Sequence, residues 1–390
     1  MDLRYSAEDE RFRADLRAWL AEVLPSLPPK PSPEDWEGRR KYDTNWQRLL
    51  HEAGYAGIDW PAAFGGRGAT PTEALIFLEE TERAGAPYVG VNFVGQLHAG
   101  PTLIAEATDE QRAAHLPRIL RGDEVWCQGF SEPGAGSDLA SLECKAVRSG
   151  DDYLVNGQKI WTSFAQVADY CELLVRTDPD APKAGRKHQG ITWLICPMGT
   201  PGIEVRPMRT IQGSSEFSEV FFSDVRIPVA NRVGAENDGW RVAMVTFSFE
   251  RGTAFTSELI QSMLLLRRLV ELAKRTHRWS DGGVRRELAH LSAELDALWA
   301  LTKRNVTQAE ARGAPGPGGS VFKLHYSEVR HKMGDLAMRL LDRSSIVLGD
   351  VETSEHVRGW MHAMSLTIAA GTSQIQRNIV AERVLGLPKG

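Results

Sequence analysis

Trp126-Cys127-Gln128-Gly129-Phe130-Ser131-Glu132-Pro133-Gly134-Ala135-Gly136-Ser137-Asp138 is the stretch from which the rest of the chain can be read. Three glycines, two serines and a proline within it predict neither a regular helix nor a clean strand. Glycine lets the backbone turn left-handed and approach a ligand closely, and serine supplies a short hydroxyl donor. The same residues make ordinary surface turns. Where they serve a ligand, they suit a flat polar cofactor or a phosphate.

On the C-terminal side the pattern is β. Tyr153-Leu154-Val155, Ile160-Trp161-Thr162, Leu173-Leu174-Val175, Ile191–Cys196, Val220-Phe221-Phe222 and Val225-Arg226-Ile227 are short runs separated by Gly, Asn and Asp. Asn156-Gly157 reads as a hairpin turn that places Trp161 on the following strand. On the N-terminal side the pattern is helical. Apolar residues fall at helical spacing from Ser6, the expected N-cap, to Leu24, and helices are expected at 34–53, 72–84 and 92–107. Another starts at Thr108, where Thr108 and Gln111 form a capping-box pattern. Pro25–Pro33, five prolines in nine residues, is an extended linker. Beyond Gly239 amphipathic segments cover 240–277, 284–312, 320–348 and 354–385, which predicts a four-helix bundle. The expected architecture is α+β and multidomain. It comprises an N-terminal all-α domain (1–122), a middle β-barrel domain (123–235) and a C-terminal four-helix bundle (236–390).

Composition narrows the function. At 390 residues, 42% hydrophobic and 25% charged, the chain has the make-up of an ordinary soluble protein with a large core. A net charge of −5 offers no basic surface for nucleic acid. Four scattered cysteines without a C-x-x-C pair predict neither a disulfide framework nor a metal site. No signal peptide or membrane span is legible, so the expected location is cytoplasmic.

Two further stretches carry chemistry. Trp161-Thr162-Ser163 could be core or could cover a ligand. In Ala369-Ala370-Gly371-Thr372-Ser373-Gln374 the glycine precedes an expected helix start, whose free N–H groups can meet phosphate or carbonyl oxygen. Together with Phe130–Asp138, in this order and spacing, they resemble the signatures of the acyl-CoA dehydrogenase family over essentially the whole chain. The resemblance implies non-covalent FAD, an acyl-CoA substrate and a trans-2-enoyl-CoA product. It also implies a tetramer and an electron-transferring flavoprotein as acceptor. By the same resemblance Gln128, Phe130 and Ser131 line the flavin, Trp161, Thr162 and Ser163 cover its other side, and Thr372 and Gln374 lie near the pyrophosphate. Ser137, Phe247, Arg251, Ala370 and Gly371 match substrate positions. The backbone N–H of residue 370 matches the donor that polarises the thioester.

The sequence departs from the family pattern twice. Most members carry glutamate immediately before Gly-Thr-Ser, where this chain has Ala370. Some, among them those similar to isovaleryl-CoA dehydrogenase, place the base on the first bundle helix, and Glu250 matches that position. The alternative is that Glu250 pairs with Arg251 on a solvated face, although adjacent helical residues do not face each other. Family homotetramers also carry Arg-x-x-Phe-Gly and Gln-x-x-Gly-Gly motifs that reach into a neighbouring subunit. This chain has Arg275-Thr276-His277-Arg278 and Ile346-Val347-Leu348-Gly349 there. Either Arg275 or Arg278 substitutes, or a different dehydrogenase-like chain completes the cofactor site in a heterotetramer. Three readings follow: a dehydrogenase using Glu250, a half-site or non-catalytic subunit of a hetero-oligomer, and an oxidase on the same scaffold.

Overall fold

The computed structural model describes residues 5–250, 256–312, 318–348 and 351–388, without the side chains of 249, 250, 311, 312 and 352. In chain order come helices α1 (Ala7–Val23), α2 (Trp36–Glu52), α3 (Pro71–Ala84), α4 (Gly100–Glu106) and α5 (Asp109–Arg121). Strands follow: β1 (Trp126–Gly129), β2 (Lys145–Ser149), β3 (Asp152–Ser163), β4 (Tyr170–Arg176), β5 (Ile191–Pro197), β6 (Ile203–Met208), β7 (Phe217–Pro228) and β8 (Arg232–Val233). Helices α6 (Gly239–Glu250), α7 (Thr256–Arg275), α8 (Gly282–Arg312), α9 (Gly318–Leu341), α10 (Val351–Leu366) and α11 (Ser373–Ile379) complete the chain. Helical, β and helical regions thus succeed one another as the sequence predicts.

Chain packing divides these elements into two compact units. One comprises residues 1–22, 70–86 and 251–390. Its core is the α7–α10 bundle, where Leu259, Leu269, Leu291, Leu298, Tyr326 and Met333 are buried together. On α9 the buried positions Phe322, Tyr326, Val329, Met333, Leu336 and Leu340 recur every three or four residues, so one stripe faces the core. Each such side chain contributes about 1.5–3 kcal/mol when fully buried. α1 is held to α3 by Arg13, which is itself buried and meets Glu79 at 2.9 Å and also Glu80, and by Arg17 on Glu80 at 2.6 Å.

The other unit comprises residues 23–69 and 87–250 and contains an eight-stranded sheet. Its path runs β6-β7-β3-β2-β4-β5-β8, with β1 added parallel to β4. All four cysteines are buried and unbridged in this sheet's core, with Cys127, Cys171 and Cys196 at matched positions on β1, β4 and β5.

The local start signals hold. The Ser6 hydroxyl accepts from Asp9 N at 3.1 Å, and Thr108 with Gln111 closes a full capping box on α5. Three expectations change. Trp126–Gly129 is a strand after all: its buried side chains register against β4, and irregular backbone begins only at Phe130. Asn156-Gly157 is no hairpin, because β3 runs unbroken through it and pairs with β7 on both sides. Gly157 sits at φ +152° so that the chain can pass Cys144, whose Cα would lie 2.7 Å from an added Cβ. Asn156 is tied instead to Asp224. Finally, 354–385 is not one helix. α10 ends at Leu366, and a turn with φ of +52° at Ala370 and +86° at Gly371 leads into α11.

Candidate functional site

In the sheet-containing unit the glycine-rich stretch is anchored by charge. Lys159 on β3 has no solvent exposure, and its ammonium donates to the Phe130 carbonyl at 3.0 Å and to Glu132 at 2.7 Å. Glu132 also accepts the N–H groups of Glu143 and Cys144 at 2.6 and 2.9 Å. A second tie is backbone: Ile160 N–H donates to the Ser131 carbonyl at 2.9 Å. The loop carrying Phe130 and Ser131 is therefore fixed to the strand carrying Trp161, Thr162 and Ser163. Sequence reading missed Lys159 and Glu132, since an isolated Lys and Glu 27 residues apart give no pairing signal.

On that strand the β3–β7 register slips between Lys159 and Thr162, and Trp161 adopts φ +60°. A bulge of this kind re-aims a side chain at a modest backbone cost. The Trp161 ring is 55% exposed and meets Phe217 edge-on at 5.9 Å. Such a placement is unlike that of a core tryptophan. Thr162 has no solvent exposure and its hydroxyl has no partner among the described residues. A buried unsatisfied polar group costs about 1–3 kcal/mol, which a polar edge of a bound group would remove. An exposed ring, an unsatisfied hydroxyl and Ser163 on the pinned strand, with the Gln128 amide on β1, fit a flat ring system with polar edges.

Gln128 has its own support. Its amide N–H group donates to Glu172 at 2.8 Å and meets His98 Nδ1 at 3.1 Å. Glu172 is fully buried, and burial holds the His98 imidazole down at about 4. With Nδ1 accepting from Gln128, the proton sits on Nε2, which is buried without a partner among the described residues. Neither residue was legible as a site residue.

α6 enters the same unit. Val242 and Ala243 are buried, and the Thr246 hydroxyl meets that of Thr102 at 2.8 Å. Phe247 lies edge-on to Phe130 at 5.8 Å, joining a predicted substrate residue to a predicted cofactor residue. Glu250 is the last residue of α6; its side chain, and all of Arg251, lie outside the described residues. Ser137 is exposed on the loop beside Asp138, which pairs with Lys187 at 2.7 Å. A separate cavity of about 560 Å³, against Gln166, Tyr170 and Met198, includes none of the predicted residues.

In the bundle-containing unit Ala370, Gly371 and Thr372 share the turn between α10 and α11, and Gln374 lies in the first turn of α11. The Thr372 hydroxyl accepts from Ile375 N–H at 3.2 Å and caps α11, leaving its own proton to donate. Gln374 is exposed, and the Ser373 hydroxyl is buried without a partner among the described residues. Arg275 ends α7, Arg278 is exposed on the short turn after it, and Ile346 is 84% exposed. Among the described residues no cluster of His, Cys, Asp or Glu could hold a metal ion, and no helix is long and apolar enough to cross a membrane.

Three family models match: the N-terminal domain of acyl-CoA dehydrogenase over residues 6–123, the middle domain over 127–225 and the C-terminal domain over 237–385. α6 thus falls in the C-terminal model by sequence and with the sheet by packing. The acyl-CoA dehydrogenase IpdE1 of Mycobacterium tuberculosis is 40% identical over 97% of this chain and 98% of its own. Two solved structures cover all of this chain and all of their own. The Tcur3481-Tcur3483 steroid ACAD has TM-score 0.84 and 31% identity, and the ChsE4-ChsE5 complex from Mycobacterium tuberculosis has TM-score 0.84 and 33% identity.

Proposed function

Because this chain belongs to the acyl-CoA dehydrogenase family, whose cofactor is FAD, we propose that it oxidises a bulky, ring-bearing acyl-CoA to the trans-2-enoyl-CoA with Glu250 as the base. The observation that carries the assignment of the base is Ala370: at the position where most members hold glutamate, this chain has a methyl group, which cannot take a proton. FAD supplies a hydride acceptor when bound. The chain's own residues do the rest. Gln128 on β1, Phe130 and Ser131 on the pinned loop and Trp161–Ser163 on the bulged strand orient the ring system, while Thr372 and Gln374 serve its phosphate end. Phe247 keeps water from the acyl group, Ser137 contacts the CoA portion, and Glu250 removes the α-proton. As the proton leaves, charge develops on the thioester oxygen, and the N–H of Ala370 stabilises it. Small side chains at 369 and 370 leave room for rings, in keeping with the steroid substrate named for one structural relative.

A hetero-oligomer is favoured by a specific observation. Ile346, Val347 and Leu348, where the family carries its intersubunit motif, are 84%, 57% and 53% exposed. We infer that a second dehydrogenase-like chain covers this corner, as the paired name of the ChsE4-ChsE5 complex suggests for that relative, and that electrons pass on to an electron-transferring flavoprotein. The test is Glu250→Gln in the purified yellow assembly, with linear, branched and ring-bearing acyl-CoAs. FAD content should stay at the wild-type level while turnover falls roughly 10²–10⁴-fold, as when a positioned base is lost. Flavin bleaching at the wild-type rate in Glu250→Gln would rule Glu250 out.

A further inference from the structure

The turn at Ala370–Gly371 is held by two side chains that no part of the reading above uses. Lys323, on α9, is only 3% exposed, and its ammonium donates to the Gly371 carbonyl at 2.6 Å. Gln376, on α11 and 1% exposed, donates its amide to the Ala370 carbonyl at 3.0 Å and more weakly to that of Gly371 at 3.4 Å. Burying an ammonium is costly unless it is paired or hydrogen-bonded. Here one of its bonds goes to a carbonyl of the two residues in the chain's only pair of successive left-handed positions among the described residues. Neither Ala370 N–H nor Gly371 N–H meets an acceptor among the described residues.

These facts fit together. In a planar trans peptide the carbonyl and the following N–H point in opposite directions. Anchoring the Ala370 carbonyl on Gln376 therefore turns the Gly371 N–H away from Gln376, while the Ala370 N–H, on the preceding peptide, is held only through the left-handed φ of Ala370. Anchoring the Gly371 carbonyl on Lys323 fixes the next peptide likewise. Gly371 must stay glycine: an added Cβ would come within 2.7 Å of the Gln376 amide nitrogen. A left-handed turn with free N–H groups forms a concavity suited to an anion.

Resting on the reading that the Ala370 N–H polarises the thioester, we propose that Lys323 and Gln376 are positioning residues for this turn. A donor held in place by such anchors stabilises the charge that develops on the thioester oxygen, and so acts on the transition state more than on substrate binding.

The experiment compares Lys323→Met, Lys323→Arg and Gln376→Met in the purified FAD-loaded assembly. It uses the acyl-CoA that wild type turns over and its α- and β-deuterated forms. Lys323→Met should lower kcat roughly 10²-fold with KM within about threefold, because the effect is on the transition state. FAD content should be unchanged. The α-deuterium isotope effect on kcat should rise while the β effect does not, since only proton removal is impaired. Lys323→Arg should restore most of the rate. Unchanged kcat and isotope effects in Lys323→Met overturn the proposal, as does a loss confined to FAD content. Should Lys323→Met not fold, Gln376→Met decides: the same isotope signature supports the role and wild-type kinetics overturn it. If the wild-type assembly oxidises no acyl-CoA at all, it is the enzymatic reading that fails. Wild-type turnover beside an unimpaired Lys323→Met removes the positioning role alone.

Discussion

Lys159→Met removes the charge that ties the Phe130–Glu132 loop to β3, and the structure sets the size of the effect. Truncating one partner of a buried ion pair costs about 3–5 kcal/mol, mostly from stranding the other charge. After Lys159→Met the Glu132 carboxylate keeps the amides of Glu143 and Cys144, so this variant belongs near the lower end, about 3 kcal/mol. Glu132→Ala strands a fully buried ammonium on a single carbonyl and frees the buried Cys144 amide and the part-buried Glu143 amide, which places it near about 5 kcal/mol. Replacing both, as Lys159→Met with Glu132→Gln, leaves no uncompensated charge and should cost only about 1–2 kcal/mol. Urea unfolding followed by tryptophan fluorescence, to which the buried Trp126 and Trp193 of the sheet contribute, reads these differences. FAD affinity measured on the same variants should fall in the same order, because the loop and strand lose their common anchor. Single variants each costing under about 1 kcal/mol, or a double variant less stable than either single, would refute the reasoning.

Two other predictions concern the same unit. His98 is fully buried with its imidazole held at about 4, against 6.5 for the free ring, so the unfolded chain takes up its proton first as pH falls. Stability from this group is complete above the unfolded value and is lost between pH 6.5 and 4, about 2 kcal/mol of it by pH 5. His98→Phe should flatten the urea midpoint across that window, and an unaltered pH profile would contradict a neutral buried ring. Gly157→Ala forces a Cβ to 2.7 Å from Cys144 Cα at φ +152° and should cost roughly 3 kcal/mol, combining overpacking with backbone strain. A melting temperature equal to wild type would show that the strand yields there at little cost.

What the sequence disclosed depended on the range of the signal. Helix starts at Ser6 and Thr108 were legible because a cap and its partner sit three residues apart. The bundle was legible because apolar residues recur at helical spacing on α9. The break after Leu366 was only half visible: Gly371-Thr372 announced the start of α11, while nothing in the preceding alanines announced a left-handed Ala370. The Asn156-Gly157 pair misled for a related reason. Its local preference is a turn, but the close passage of Cys144 and the pairing with β7 decide the conformation, and both are contacts distant in sequence. At the site, the motif residues were found by order and spacing. Their supports, Lys159 with Glu132, His98 with Glu172, and Lys323 with Gln376, come from separate elements and have no mutual spacing to detect.

The placement of the cysteines has a practical side. All four thiols lie in the core of the sheet, where burial pushes Cys127, Cys144 and Cys196 upward from the ordinary thiol range. A thiol reagent reacts with thiolate that it can reach; the folded sheet buries all four thiols and disfavours ionisation of Cys127, Cys144 and Cys196. Reaction with a coloured disulfide reagent therefore times the opening of this sheet, independently of the flavin and of turnover. A single cysteine introduced on any exposed loop would carry a spectroscopic label alone, with no native residue to remove beforehand.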